Sequence, residues 1–379
     1  MAPARVLQVL EATEGGTRRH LRDLVLGLDP DRFELAVAVG LGRGPGMADD
    51  LAEFESRGAA VHVGPLTRAL DPWRDAAALA WLTRLMARGR FDLVHAHSSK
   101  AGFLGRLAAR RCGLPAVYTP HGWAFLNPEF SPAQRRAFAA AERLAAGWGR
   151  AVIAVSSGEA RAAERAGIVA PGQITVIRNG IDIDSLADAS GTPSDGLGTF
   201  NVLTVGRRAA QKGDAFLLAA WPLVVARFPQ ARLTLVGVGP LLAASEAQAR
   251  RLGIADSVCF AGRVEGAARL IAGCDVFVLP SLFEGCPYSL LEALALGRSC
   301  LATAVDGARE VIAAGRSGLL VPPGDSAALA AGLLRLASDE ALRARLGAAA
   351  AGWARRHLAL GPMIAATAAL YERLLAARR

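Results

Sequence analysis

Four charged residues in the second half of the chain have the types and spacing for phosphate chemistry. Arg207 and Lys212, five residues apart in GRRAAQKGD, follow a short apolar run and sit around the start of a helical segment. Two cations beside the open N–H groups of a helix start can clamp a diphosphate, arginine bidentately and lysine as a compact point charge. Only two of the 43 basic residues are lysine, so a lysine kept here points to a place where arginine does not serve; solvated surface charge is the alternative. Glu284 and Glu292 lie in LFEGCPYSLLEALALG, where Pro287 and Ser289 open a helix. Eight helical residues span about 12 Å, which suits two carboxylates holding opposite ends of an elongated ligand and exceeds the ~5 Å pairing of a retaining glycosidase. Ordinary helix-start charges are the alternative.

The first half offers weaker signals. In LEATEGGTRRHL, Gly15-Gly16 precedes a helix opening at Thr17, which allows close backbone approach to an anion, or only a turn. His95 and His97 alternate in DLVHAHSSKAG and therefore share a strand face; no neighbouring acid or histidine completes a ligand set, so no metal is expected. His121, in VYTPHGW, stands in a loop after a strand, where catalytic residues collect, and equally suits a loop-stabilising role. LVGVGPLLA imitates a dinucleotide fingerprint, but Leu242 stands where the third glycine belongs, which excludes a nicotinamide site.

Such residues need strand ends to hold them. Short apolar runs at 5–10, 33–39, 59–63, 92–96, 116–118 and 151–155 alternate with helical patterns such as 17–28, 73–87 and 100–111. The alternation restarts at 200–205 and continues through 232–236, 258–261, 276–279, 300–303 and 319–321. This is the βαβ rhythm of α/β folds, and it predicts two doubly wound parallel sheets. The Gly-, Ser-, Asp- and Pro-rich DSLADASGTPSDGLGT marks an interdomain linker, giving domains at 1–187 and 200–359 joined by 188–199, with a helical tail over about 360–379. A chain of 379 residues, 52% apolar and 20% charged, is too large for one core and rules out a disordered or fibrous class. Its five cysteines form no CxxC pair, which argues against a zinc site or disulfide framework and suits a reducing cytoplasm. The N-terminal apolar run is too short for a signal peptide, and no run reaches the roughly 18 residues a membrane span needs. A net charge of +9 favours anionic partners; no aromatic platform or nucleic-acid motif accompanies it, so nucleic acid is not expected.

Together the segments EGGTRRHLRDL, DLVHAHSSKAGFLGRLAA, YTPHGWAF, AVSSGEA, ITVIRNGID, VGRRAAQKG, LVGVGP, FAGRV, DVFVLPSLFEGCPYSLLEALALG, AREVI and GLLVPPGD resemble the retaining glycosyltransferases of family 4, over nearly the whole chain. The HSSKAG element is similar to exopolysaccharide and lipopolysaccharide enzymes. The resemblance implies the GT-B fold: two Rossmann-like domains facing a cleft, with the C-terminal helix crossing back to the first. It implies transfer of a sugar from a nucleotide-diphosphate donor, a UDP-sugar before a GDP-sugar, to a glycan or polyprenyl-diphosphate-linked acceptor, with no metal or other cofactor. Glu284 would hold donor-sugar hydroxyls and Glu292 the ribose. Arg207 and Lys212 would neutralise the diphosphate, Gly16 would approach it, and His121 would line the transfer site. Arg263 and Val264 would meet the base, and Gly285, Cys286, Pro287 and Tyr288 would complete the donor pocket. Thr17, His97 and Lys100 would lie on the acceptor side, Lys100 with no atom assigned to it. Arg208 and Asp306 depart from the usual pattern; Asp306 puts donor choice in doubt.

Arg18, Arg19, Arg22, Arg106, Arg110, Arg111, Arg135, Arg136 and Arg143 fall on helical stretches of the first half. They suggest a polybasic surface for the anionic inner face of a plasma membrane, with solvated helix faces as the alternative. Two other functions share this fold: a nucleotide-sugar 2-epimerase, which needs extra acids, and a non-catalytic nucleotide-sugar-binding subunit, which should have lost some of Glu284, Glu292, Arg207, Lys212 or His121.

Overall fold

The computed structural model describes residues 2–42, 46–170, 172–186 and 199–377. Residues 188–198 of the expected linker lie outside that set. The chain divides into two compact units, one of residues 1–179 with 361–379, the other of residues 180–360.

The first unit is built on seven parallel strands: β1 (Ala4–Leu10), β2 (Phe33–Val39), β3 (Ala60–Val63), β4 (Leu93–His97), β5 (Ala116–Thr119), β6 (Ala151–Ala154) and β7 (Ile174–Val176), in the order β3-β2-β1-β4-β5-β6-β7. The central strands are buried on both faces, as the runs of Val, Leu and Ala require in a sheet covered by helices on each side. β7 escapes sequence detection because it has three residues and is only half-buried. The helix Leu360–Ala376 returns to this unit, as expected. Its Tyr371 is wholly buried, accepts a hydrogen bond from Gln8 and shares one with His95. Gly27 makes room for the helix: a Cβ there would lie 2.9 Å from the Ile364 side chain.

The second unit holds β8 (Asn201–Val205), β9 (Arg232–Val236), β10 (Val258–Gly262), β11 (Val276–Leu279), β12 (Ser299–Thr303) and β13 (Leu319–Val321), all parallel, in the order β10-β9-β8-β11-β12-β13. Its core joins Leu217, Trp221 and Val224 of the helix Asp214–Arg227 to Leu233 and Leu235 of β9 and to Leu329 and Leu333 of the helix Ser326–Ser338.

Both strand orders reverse direction once, between β1 and β4 in the first sheet and between β8 and β11 in the second. At such a switch point the loops leaving neighbouring strands part to opposite faces, which opens a crevice at the strands' carboxyl ends.

Candidate functional site

In the second unit the switch point gathers the expected phosphate residues. β8 ends at Val205 and runs into Gly206, Arg207 and a short 3-10 turn, Ala210–Lys212, before the helix Asp214–Arg227. β11 ends at Leu279 and runs into the loop that carries Glu284. Lys212 Nζ meets Glu284 Oε1 at 2.5 Å, and Ser281 Oγ donates to the same oxygen at 2.8 Å. Gln211 donates to the Phe283 carbonyl at 3.1 Å, and Leu282 N to the Gln211 carbonyl at 2.8 Å. The two loops therefore form one hydrogen-bonded body. Arg207, half-buried, makes no ion pair among the described residues.

Glycines let this body close. Gly213 adopts φ +68°, and a Cβ there would sit 2.0 Å from the Pro280 carbonyl oxygen. Gly237, at φ +126°, meets the Gly206 carbonyl as closely, and a Cβ on Gly239 would lie 2.3 Å from the Arg208 carbonyl. The glycines of LVGVGP thus serve to seat the β8 loop. On the other side Gly307 N donates to the Glu284 carbonyl at 3.2 Å, which fixes the Glu284-Gly285 backbone and places Asp306, first residue of a six-residue helix, next to that contact.

Arg208 is buried inside the loop. Its guanidinium donates to the Gly206 carbonyl at 2.7 and 3.0 Å and to Asp214 Oδ1 at 3.0 Å. Burial pushes the Asp214 carboxyl up, with Arg208 and Lys212 pulling the other way. The departure from the family pattern at position 208 is thus an internal tie from the end of β8 to the start of the next helix. Glu292 lies on the helix Tyr288–Ala295, whose Ser289 hydroxyl reaches the Val205 carbonyl at 3.2 Å. Pro287 caps that helix, and Cys286 and Tyr288 are buried beside it. Arg263 and Val264 leave the end of β10, where the Gly262 carbonyl accepts from Gly237 N at 2.6 Å.

In the first unit the switch point holds histidines. His97, at the end of β4, packs its ring 5.3 Å from that of His121 and 5.6 Å from that of His20. His121 follows β5 with φ +55°. His20 lies on the buried face of the helix Gly15–Gly27, whose exposed first turn carries Gly16 and the half-buried Thr17. Nothing in the sequence singles out His20 as a site residue except its place with Leu21 and Leu24 on one helical face.

The hydrogen bonds set the tautomers. Gln8 Nε2 donates to the Tyr371 hydroxyl at 3.1 Å, which turns its carbonyl to His97 Nε2 at 2.9 Å. A carbonyl only accepts, so His97 carries its proton on Nε2 and a lone pair on Nδ1. His121 Nε2–H then donates to His97 Nδ1 at 3.1 Å. Tyr371 gives its own proton to His95 Nδ1 at 2.6 Å, and His95 donates onward to Thr119 at 2.8 Å. Burial lowers all four histidines: His20 to about 4, opposed by its Asn179 hydrogen bond, and His95, His97 and His121 well below the ordinary value, with neighbouring rings adding to the effect. The cluster is neutral at physiological pH.

Lys100 is tied to Asp75 and to the Ala69 carbonyl, which joins the start of the helix Ser99–Arg111 to the start of Pro72–Gly89. The expected polybasic surface needs correction. Arg106 is buried, paired with Glu142 at 2.6 Å and stacked over Tyr118. Arg18 is bonded bidentately by Asp50, Arg19 pairs with Asp23, and Arg22 with Glu53. Arg110, Arg111, Arg136 and Arg143 remain exposed, and Arg135 half-buried. No described helix is long and apolar enough to cross a membrane.

Comparison with known proteins matches residues 14–185 to the model "Glycosyltransferase Family 4" and residues 199–339 to "Glycosyl transferases group 1". The chain is 34% identical over 284 residues to the phosphatidyl-myo-inositol mannosyltransferase of Mycobacterium tuberculosis H37Rv, covering 72% of this chain and 71% of that one. It is 28% identical over 294 residues to the UDP-Gal:alpha-D-GlcNAc-diphosphoundecaprenol alpha-1,3-galactosyltransferase of Escherichia coli, covering 75% and 76%. In three dimensions it is similar to Anabaena HepE crystallised with UDP and glucose, with a TM-score of 0.81, 24% identity, and coverage of 98% and 100%.

Proposed function

The chain belongs to glycosyltransferase family 4, and from that premise we propose that it transfers a sugar from a nucleotide-diphosphate donor, with retention and without a metal ion, in cell-surface polysaccharide synthesis. A UDP-sugar is the favoured donor and a glycan or polyprenyl-diphosphate-linked glycan the acceptor; relatives that use UDP-galactose and a diphosphoundecaprenol acceptor, or bind UDP, support this. One observation carries the reading: Lys212 and Glu284 meet at the switch point of the second sheet, with Arg207 beside them making no ion pair among the described residues.

In this reading the bond from the anomeric carbon to the phosphate oxygen breaks with its electron pair going to the phosphate. Preorganised cations lower the barrier by stabilising that charge. Lys212 has three donors, so it can keep Glu284 while turning others to the diphosphate, and Arg207 adds a fork. Glu284, anchored by Ser281 and Lys212, has acceptor capacity left for sugar hydroxyls. His121 gives its Nε2 proton to His97, so the atom it offers a hydroxyl is Nδ1, as an acceptor. All five of Arg207, Lys212, Glu284, Glu292 and His121 are present, which weighs against a non-catalytic subunit, and the spacing of Glu284 and Glu292 favours transfer over an epimerase. Peripheral attachment to an anionic leaflet is part of the proposal, supported by Trp73 and Leu70, 87% and 76% exposed, with the exposed Arg68 and Arg74 beside them in the chain.

Titration calorimetry without added metal, against UDP, GDP, ADP and TDP, tests the reading. The expected result is selective micromolar binding of UDP that weakens about 10- to 100-fold in Arg207→Ala or Lys212→Ala, the worth of one charge-assisted contact. Equal binding by both variants would remove the basis of the assignment.

A further inference from the structure

We propose that His20, His97 and His121 form a binding site for one divalent transition-metal ion of the zinc class, and that an ion held there inhibits the transferase by taking the His121 ring. The inhibitory half rests on the function proposed above; the binding half does not.

One ring nitrogen from each of the three histidines lies within 4.8 Å of the other two. Tetrahedral bonds of about 2.0–2.1 Å place ligand nitrogens roughly 3.4 Å apart, so small ring rotations suffice, and the His97–His121 pair stands at 3.1 Å already. Outer contacts prepare the rings. His97 gives its Nε2 proton to the Gln8 carbonyl at 2.9 Å, and His20 Nδ1 is turned to Asn179 Oδ1 at 3.1 Å. Both acceptors are amide oxygens, so each ring keeps its lone pair on the other nitrogen. This is the outer shell that fixes tautomer and orientation in imidazole metal sites.

His121 completes the set with no net loss of a proton: the proton now on Nε2 moves to Nδ1, and Nε2 becomes a ligand atom. The same change removes Nδ1 as an acceptor for a sugar hydroxyl, which is why the ion inhibits. His20 and His97 are buried, whereas His121 is only half-buried, in a loop with positive φ at His121 and Gly122, so the ion enters past His121. Three imidazoles with a fourth position for water suit Zn2+, and also Co2+ and Ni2+, and not Mg2+ or Ca2+, which prefer oxygen ligands.

The test uses the full chain without a histidine tag, titrated with Co2+ at neutral pH in a thiol-free reductant. The expected spectrum shows visible d–d bands that saturate at one equivalent, lack thiolate charge-transfer absorption, and are displaced by Zn2+. His20→Gln should abolish the bands, and Asn179→Ala should weaken binding about 10- to 100-fold. No saturable bands, thiolate bands alone, or an unchanged spectrum in a folded His20→Gln variant would overturn the site. Should His20→Gln fail to fold, the spectrum of the unaltered chain decides by itself. A bound ion without inhibition of sugar transfer would leave the site standing and overturn only its inhibitory role.

Discussion

At the scale of single residues, burial and partners separate side chains that look alike in the chain. Lys100 ties two helix starts through Asp75 and Ala69, while Lys212, in the loop after β8, faces Glu284. Arg207 and its neighbour Arg208 diverge more sharply, one half-buried and the other fully enclosed against Asp214. Removing one member of a buried ion pair leaves the other charge without compensation, at about 3–5 kcal/mol, whereas replacing both by apolar residues is far less costly. Arg208→Leu should therefore lower the denaturant midpoint strongly, and Arg208→Leu with Asp214→Ala should recover most of the loss. Additive losses in the double variant, read by guanidinium unfolding at pH 7, would show that the pair is not coupled.

At the scale of elements, the proposed donor site is two loops held in register by backbone contacts. Gly213 needs both its left-handed conformation and the absence of a Cβ, because the Pro280 carbonyl would lie 2.0 Å from that atom. Gly253 has the same φ of +68° with nothing within 4 Å, so it isolates the conformational cost alone. Gly253→Ala should cost about 1 kcal/mol of stability and leave UDP affinity unchanged. Gly213→Ala adds the clash, which must push the 206–213 loop away from the Glu284 loop; UDP binding should fall at least about tenfold with the far-ultraviolet dichroism preserved. Equal effects of the two substitutions on binding would show that the packing of these loops does not set the site.

At the scale of the whole molecule, the chain's last helix completes the first unit and closes its histidine network through Tyr371. The network makes that unit acid-sensitive. His20 takes up a proton at about 4 in the folded chain and at 6.5 when exposed, so the unfolded chain protonates first as pH falls. Stability is full above pH 6.5 and declines between 6.5 and 4; His95, His97 and His121, lowered by burial in the same direction, add to the loss. Thermal unfolding midpoints should be flat from pH 8 to 7 and fall steeply below about 6.5. His95→Phe, which removes one of these titrating rings, should make the fall shallower, and an unchanged slope would point to carboxylates instead.

The sequence by itself determined the alternation of strands and helices, the two sheets, the placing of Arg207, Lys212, Glu284 and His121 just after strands, and of His97 at the end of one. These follow from local rules: apolar periodicity, and glycine and proline at turns, act over a few residues. Partnership was decided by the tertiary structure alone. Lys212 and Glu284 are 72 positions apart and meet because β8 lies beside β11, which the crossover connections settle and no local pattern records. The same reason hides the burial of Arg106 against Glu142 and the joining of His20 to His97 and His121. A charge or an imidazole reads alike in the chain whether it faces water or a partner, and only the packing of distant strands and helices says which.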